Sequence, residues 1–316
     1  MSPEMYAAIL LLIAIIFGLR GSVRLTSRFR AATAGEGRLV NGEKLLLGTL
    51  VTPALSGNAV NGDRDNGTLA TTQVTLISTP QLVLGKFLAA WITALAFLVA
   101  ALPFLIFSFV IGGAELDTVV VSVLVLAAEL GVVAAIGVGL SGIIRKPLFS
   151  IVVTYLIVAL LGIGTLIGFS LGGLALQNRV TVENQYPDYE SGECERGGTM
   201  TITVPRFDLV WWMLAANPYF VVADAVPTHY DEYGSPNDLF GAIKYGLRSA
   251  QHPQDLDSYG CFEGEYPTAR ETIDSSVPGW FVGFGIHLAM SVAALWGAIA
   301  LTHAPSRRLA AGSRVA

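Results

Sequence analysis

The chain has 316 residues, of which 53% are hydrophobic and only 14% are charged, and its mean hydropathy is +0.60. Soluble globular proteins carry about a quarter charged residues, so this composition indicates that lipid is the main solvent. The net charge of −5 hides an acidic block, residues 177–278, which holds 6 Lys and Arg against 16 Asp and Glu. No basic stripe with interleaved aromatic residues occurs in the sequence, so a nucleic-acid partner is not expected.

Stretches of about 20 apolar residues are needed to cross a bilayer as helix. The sequence offers six segments, which are Met5–Leu19, Leu45–Val60, Leu82–Ile111, Thr118–Ile144, Pro147–Leu176 and Gly279–Leu301. The first is short and the second contains Pro53, whereas the other four meet the standard fully. We therefore expect an all-α polytopic membrane protein with about six transmembrane helices, five in residues 1–176 and the sixth in 279–316.

The N-terminal segment has two interpretations. It resembles a signal peptide in length, and Ala32-Thr33-Ala34 resembles a cleavage site. Signal peptides begin with basic residues, however, whereas this chain begins with Glu4 and places its arginines after the apolar run. A retained first helix is therefore the favoured interpretation.

Basic residues in short loops predict the orientation of the spans. Arg145 and Lys146 fill the turn between the fourth and fifth spans, and further arginines lie in the C-terminal tail, so both are expected in the cytoplasm. The acidic block between the fifth and sixth spans is then extracytoplasmic. The loop 20–38 conflicts with this scheme, because it carries five arginines and must face outward. Either it lies on the outer headgroups or one of the first two spans is misassigned.

The acidic block contains the two cysteines, Cys194 and Cys261. An extracytoplasmic position permits a disulfide between them, although two free thiols are the alternative. The block also contains an apolar run, residues 207–226, with Trp211 and Trp212 near its start and Asn217-Pro218 interrupting it. Because charged residues lie at both ends of this run, we expect a re-entrant or surface-lying element on the outer face instead of a span.

The most informative polar stretch, residues 61–86, joins the second and third spans. Asp65 or Asn66 is suited to cap a helix, and apolar residues then recur at helical spacing until Thr79-Pro80 ends the pattern. The pattern predicts a short amphipathic helix at the cytoplasmic surface, at about 63–80. It suits docking into a groove of a cytoplasmic partner, and an ordinary surface connector is the alternative.

Several motifs in this stretch resemble the ABC-2 type permease family. The run Asp63-Arg64-Asp65-Asn66-Gly67-Thr68-Leu69 is similar to the family's charged Gly-Thr-Leu element, and the turn Ser78-Thr79-Pro80 and Leu84-Gly85-Lys86 follow it. Asn217-Pro218-Tyr219-Phe220 resembles the Asn-Pro-aromatic element that this family places before its last span. The run from Trp211 to Pro218, together with Val222-Ala223-Asp224-Ala225, is similar to an actinobacterial branch of the family. The weak first two spans and the long acidic block depart from the family pattern.

The resemblance implies a permease subunit of an ATP-binding cassette transporter in the cytoplasmic membrane. The predicted helix would be the coupling helix that contacts a separate ATPase subunit. Its candidate contact residues are Asp63, Arg64, Asp65, Asn66, Gly67, Thr68, Leu69, Gln73, Leu76 and Ile77. The sequence has no Gly-x-x-x-x-Gly-Lys-Ser/Thr loop, so ATP and Mg²⁺ belong to the partner and this chain is not expected to be an enzyme. A second permease chain, identical or homologous, and export of a lipid, a hydrophobic drug or a peptide are also implied.

One carboxylate, Glu129, lies well inside a predicted span, where an acid is costly and usually faces the bundle interior. It is a candidate for the substrate path, or else it pairs with a neighbouring hydroxyl or backbone group. His287 is expected to be a packing residue of the sixth span. The other histidines, His229, His252 and His303, show no ligand spacing, so no metal site is expected.

A rival function from another class is a polytopic membrane protein that works without ATP, as a secondary transporter or an envelope scaffold. Secondary transporters tend to contain internal repeats and several charged residues at the midplane. The sequence has no visible repeat and Glu129 is almost alone in the spans, which favours the permease.

Overall fold

The computed structural model describes residues 56–65, 78–112, 115–187, 194–254 and 267–302. Helices dominate this part of the chain. They are α1 (Asn61–Asp65), α2 (Thr79–Gly112), α3 (Leu116–Ile143), α4 (Pro147–Ala159), α5 (Thr165–Ala175), α6 (Trp211–Ala215), α7 (Pro218–Ala225), α8 (Leu239–Ser249), α9 (Ala269–Asp274) and α10 (Gly279–Thr302). A π-helical turn, Leu160–Gly164, joins α4 to α5, and a 3₁₀ turn, Phe207–Leu209, precedes α6.

Four stretches of helix in the described ranges are long and apolar enough to cross a membrane. They are Thr79–Pro103, Leu116–Ile143, Pro147–Ala175 and Gly279–Thr302. Large apolar side chains point away from the protein along all four, among them Ile92, Leu124, Leu156, Leu160, Phe281 and Trp296. Such surfaces are suited to lipid and are rare on soluble monomers. The four strong sequence predictions are thus confirmed as helices, while Met5–Leu19 and most of Leu45–Val60 lie outside the described residues.

Helices α3 and α10 form the central packed pair. Gly139 faces Ala294 and Gly142 faces Ala298 so closely that a Cβ added at either glycine would lie 2.5 Å from the facing alanine Cβ. Small residues allow this approach of two backbones. Residue numbers rise together on both helices, so α3 and α10 run parallel.

The acidic block contains a two-stranded antiparallel ribbon, β1 (Gln177–Pro187) and β2 (Cys194–Pro205). Val180 pairs with Ile202 and Val182 with Met200, which places the apolar side chains on one face. Valine, isoleucine and threonine favour strands because their branched side chains fit a pleated surface. The expectation of an all-α chain is therefore wrong in this block, although the protein is mostly helical.

The interrupted apolar run after the ribbon forms two short helices, α6 and α7, which are separated at Asn217. Helix α7 has only eight residues, or about 12 Å of helix, which is too short to span a bilayer. Its buried residues, including Val221 and Val222, leave little of this segment in solvent. The segment instead packs against the long helices, where it completes the site described below.

Candidate functional site

A buried acid–histidine pair joins α3 to α10. His287 Nδ1 lies 3.0 Å from Glu129 Oε1, and both residues are at most 5% exposed. The other ring nitrogen, Nε2, lies 2.8 Å from the backbone carbonyl of Ala216 at the end of α6. Glu129 lies about 20 Å along α3 from Leu116, which is near the middle of the helix. One imidazole thus connects three elements deep in the helical bundle.

The bonding partners restrict the protons of this pair. The carbonyl of Ala216 only accepts, so Nε2 must carry a proton. Nδ1 and the Glu129 carboxyl then share a second proton, either as imidazolium with carboxylate or as neutral imidazole with carboxylic acid. Both arrangements leave the pair neutral overall, which reduces the cost of burying it.

A small cavity of about 20 Å³ opens beside Glu129, which suffices for about one water molecule. Apolar side chains of α3 and α7 form most of its wall, and Pro218 and Tyr219 line it from the break between α6 and α7. The candidate substrate-path residue thus borders a cavity, but its charge is balanced by His287.

Asn217 connects the α6–α7 break to the π-helical turn. Its Oδ1 accepts from Tyr219 N and caps α7, while its Nδ2 donates to Gly162 O at 2.6 Å and to Thr165 Oγ1 at 2.9 Å. This amide thus bonds the residue between α6 and α7 to the π-helical turn that joins α4 to α5. The Asn217-Pro218 element singled out in the sequence is therefore a buried connector between the acidic block and a span.

A second buried ion pair holds the acidic block on the start of α10. Arg248 of α8 donates to Asp224 of α7 from Nε at 2.7 Å and from Nη2 at 3.1 Å. Asp224 also accepts from Trp280 N at 2.8 Å, at the positive end of the α10 helix dipole. Nearby, Lys244 donates to Val226 O at 2.6 Å, and burial lowers the pKa of this lysine below its usual range.

At the C-terminal end of α3, the two residues that lie just before the predicted coupling segment are bonded to the spans. Val60 N and Asn61 N both donate to Ser141 Oγ at 3.1 Å, and Asn61 Nδ2 donates to Ile144 O at 2.7 Å. Val60 also packs in an apolar cluster with Val83 of α2, Val138 of α3 and Ala298 of α10. Three of the four candidate spans therefore meet at this point.

Asp63, within α1, forms an ion pair with Lys86 of α2 at 2.5 Å. Two parts of the family-like motif, the charged run and the Leu-Gly-Lys element, are thus in direct contact. Thr79 and Pro80 begin α2, where proline is accommodated because the first helical N–H groups have no partner. The remaining candidate coupling residues, Asn66 to Ile77, lie outside the described residues, and the backbone alone is described at Arg64 and Asp65.

The other predicted site residues have mixed positions. Trp211 packs half-buried against the cluster of Leu214, Ala215 and Leu247, whereas Trp212 is 46% exposed. Cys194 begins β2, but Cys261 lies outside the described residues, so their disulfide stays a prediction; none is found in the described ranges.

His287 and Ser141 were missed as site residues. A buried acid such as Glu129 requires a partner, and this requirement was the available signal for His287.

No protein-family model matches this chain, and no curated protein or solved structure is significantly similar to it. The resemblance to ABC-2 type permeases therefore depends on the motifs in the sequence alone.

Proposed function

We propose that this chain is the permease subunit of an ATP-binding cassette exporter in the cytoplasmic membrane. A separate ATPase subunit supplies the energy, a second permease chain completes the pathway, and the cargo is a lipid, a hydrophobic drug or a peptide. Four apolar helices of spanning length support a membrane location. The charged Gly-Thr-Leu motif supports the assignment to this class of transporter.

The observation that carries the proposal is the attachment to the candidate spans of the motif's first residue, Asp63, and of Asn61 just before it. Asn61 is bonded to Ser141 and Ile144 of the α3–α4 region, and the Asp63–Lys86 ion pair connects α1 to α2. A displacement of this segment by a partner would therefore act on α2 and α3 directly. Rigid-body coupling of this kind requires bonded contacts of the sort seen here.

The first test is recovery of the protein from its native membrane in mild detergent, followed by identification of co-purifying chains and an ATPase assay. We expect a stoichiometric ATPase that is lost when residues 65–69 are replaced by a Gly/Ser linker. Ser141→Ala should retain the partner but lower the ATPase activity of the complex. Ser170→Ala is the matched control, because Ser170 is exposed and bonds only to Leu166 O of its own helix.

Recovery of the chain without an ATPase, under conditions that preserve other such complexes, contradicts the proposal. One observation then favours the rival, a secondary transporter: the Glu129–His287 pair has the composition of a proton relay inside a bundle. Reconstitution into liposomes separates the two functions. A secondary transporter responds to an imposed proton gradient without ATP, whereas the permease requires ATP and its partner.

A further inference from the structure

Three potential metal ligands meet at the outer end of α3. Glu115 and Asp117 flank the start of this helix, and His229 lies in the loop after α7. His229 Nδ1 is 3.3 Å from Glu115 Oε1, and Nε2 is 3.3 Å from Asp117 Oδ1. One ligand atom from each side chain lies within 4.8 Å of the other two. The sequence gives no indication of this cluster, because 112 residues separate His229 from Asp117.

The donor set matches a first-row transition metal. Imidazole with two carboxylates suits Zn²⁺ and similar ions, whereas Ca²⁺ takes six to eight oxygen ligands. The two 3.3 Å distances involve the two different ring nitrogens of His229, and a single ion binds only one of these nitrogens. The three ligand atoms that lie within 4.8 Å of one another enclose an ion once one carboxylate turns toward the nitrogen that binds it.

Charge and exposure support the same assignment. Two carboxylates exceed the charge of even a doubly protonated histidine, whereas a divalent cation with a neutral imidazole balances them fully. Asp117 and Glu115 are about half exposed, so water has access to complete the coordination.

We propose that Glu115, Asp117 and His229 form a binding site for a divalent transition-metal ion, with Zn²⁺ as its best-fitting occupant. The bound ion connects the α2–α3 turn to the loop that follows α7, and it thereby fixes part of the acidic block to a spanning helix. This site is independent of the transport proposal, since its ligands and its test involve neither ATP nor a partner chain.

The test measures Zn²⁺ binding to the full chain in detergent, purified without a histidine tag and stripped with a chelator. Titration against a fluorescent zinc indicator should reveal one saturable site, and Zn²⁺ should raise the melting temperature. His229→Ala should weaken binding more than about 100-fold, since loss of even an outer-shell partner costs 10–100-fold. His252→Ala should bind as the wild type does, because His252 is an exposed histidine of the same block.

Asp117→Asn provides a second variant that keeps the size of the side chain while removing a charged ligand, and it should also weaken Zn²⁺ binding. Ca²⁺ at the same concentrations should not compete. The proposal is overturned if the wild type and His229→Ala take up equal Zn²⁺. In that case the cluster is only an ion pair between a protonated histidine and two carboxylates.

Discussion

His287 of α10 lies 3.0 Å from the Glu129 carboxylate of α3 and 2.8 Å from the Ala216 carbonyl at the α6–α7 break. The imidazole therefore bonds two candidate spans to the interrupted helical segment of the acidic block. Any movement of that segment relative to α3 or α10 must break or exchange one of these two hydrogen bonds.

Glu129→Gln and Glu129→Ala should differ strongly in their effect on the stability of the protein. The glutamine amide can donate to Nδ1 of a neutral His287 while Nε2 still donates to Ala216, so we expect a melting temperature close to that of the wild type. Alanine leaves a buried histidine nitrogen without a partner, and breaking a buried pair costs about 3–5 kcal/mol. Thermal unfolding in detergent measures the stability of both variants against that of the wild type. If Glu129→Gln folds but loses transport, the shared proton takes part in the function and not only in the fold.

Two of the Asp–Arg pairs in the acidic block, one buried and one exposed, provide a matched comparison. Asp224 with Arg248 is buried, whereas Arg270 Nε lies 3.9 Å from Asp274 and both side chains are about 70% exposed. Asp224→Ala should lower the free energy of unfolding by about 3–5 kcal/mol, because it leaves Arg248 buried and unpaired. Asp274→Ala should cost at most about 1 kcal/mol. Equal effects of the two substitutions would show that Asp224 does not hold the block on α10.

Even the closest replacement of Asn217, aspartate, should lower the stability of the protein. Asn217→Ala removes the cap of α7, worth about 1 kcal/mol, and the two hydrogen bonds from Nδ2 to Gly162 O and Thr165 Oγ1, each worth about 0.5–1.5 kcal/mol. Aspartate keeps the cap because it still accepts from Tyr219 N, but it cannot donate to Gly162 O. We therefore expect Asn217→Asp to be at least as destabilising as Asn217→Ala. A stable Asn217→Asp variant would mean that capping alone explains this residue.

The burial of Lys244 leads us to predict that the stability of the protein depends on pH. Burial is the largest cause that lowers its pKa in the folded protein, with Arg248 acting in the same direction and Asp224 opposing it. Between the lowered pKa and about 10.5 the unfolded chain binds a proton that the folded chain does not, so stability rises with pH in this window. Melting temperatures from pH 7 to 10.5 should rise for the wild type relative to Lys244→Met. If the melting temperatures of the two proteins change in parallel with pH, the pKa of Lys244 is not lowered by burial.

The sequence predicted local features better than distant contacts. The four long helices follow from apolar length alone, since few charges interrupt them. The Glu129–His287 pair joins residues 158 positions apart, and no periodicity reports such a contact. Only the rule that a buried acid needs a partner pointed toward it. The β ribbon was missed although Val180-Thr181-Val182 and Thr201-Ile202-Thr203-Val204 alternate as strands do, because the acidic composition suggested solvated surface.

Substitution of glycines by alanine should distinguish the effect of close helix packing on stability from the effect of helix propensity. A Cβ at Gly139 would lie 2.5 Å from the Cβ of Ala294 and 2.6 Å from its carbonyl carbon, whereas a Cβ at Gly285 of α10 meets nothing within 4 Å. Alanine is the better helix former by about 1 kcal/mol, so Gly285→Ala should be neutral or stabilising. Gly139→Ala should instead lower stability by about 1–3 kcal/mol, since the two backbones must separate to admit the methyl group. The melting temperatures of the two variants, measured in one detergent, show whether α3 and α10 pack closely at Gly139. If both substitutions stabilise the protein, α3 and α10 do not pack at this distance.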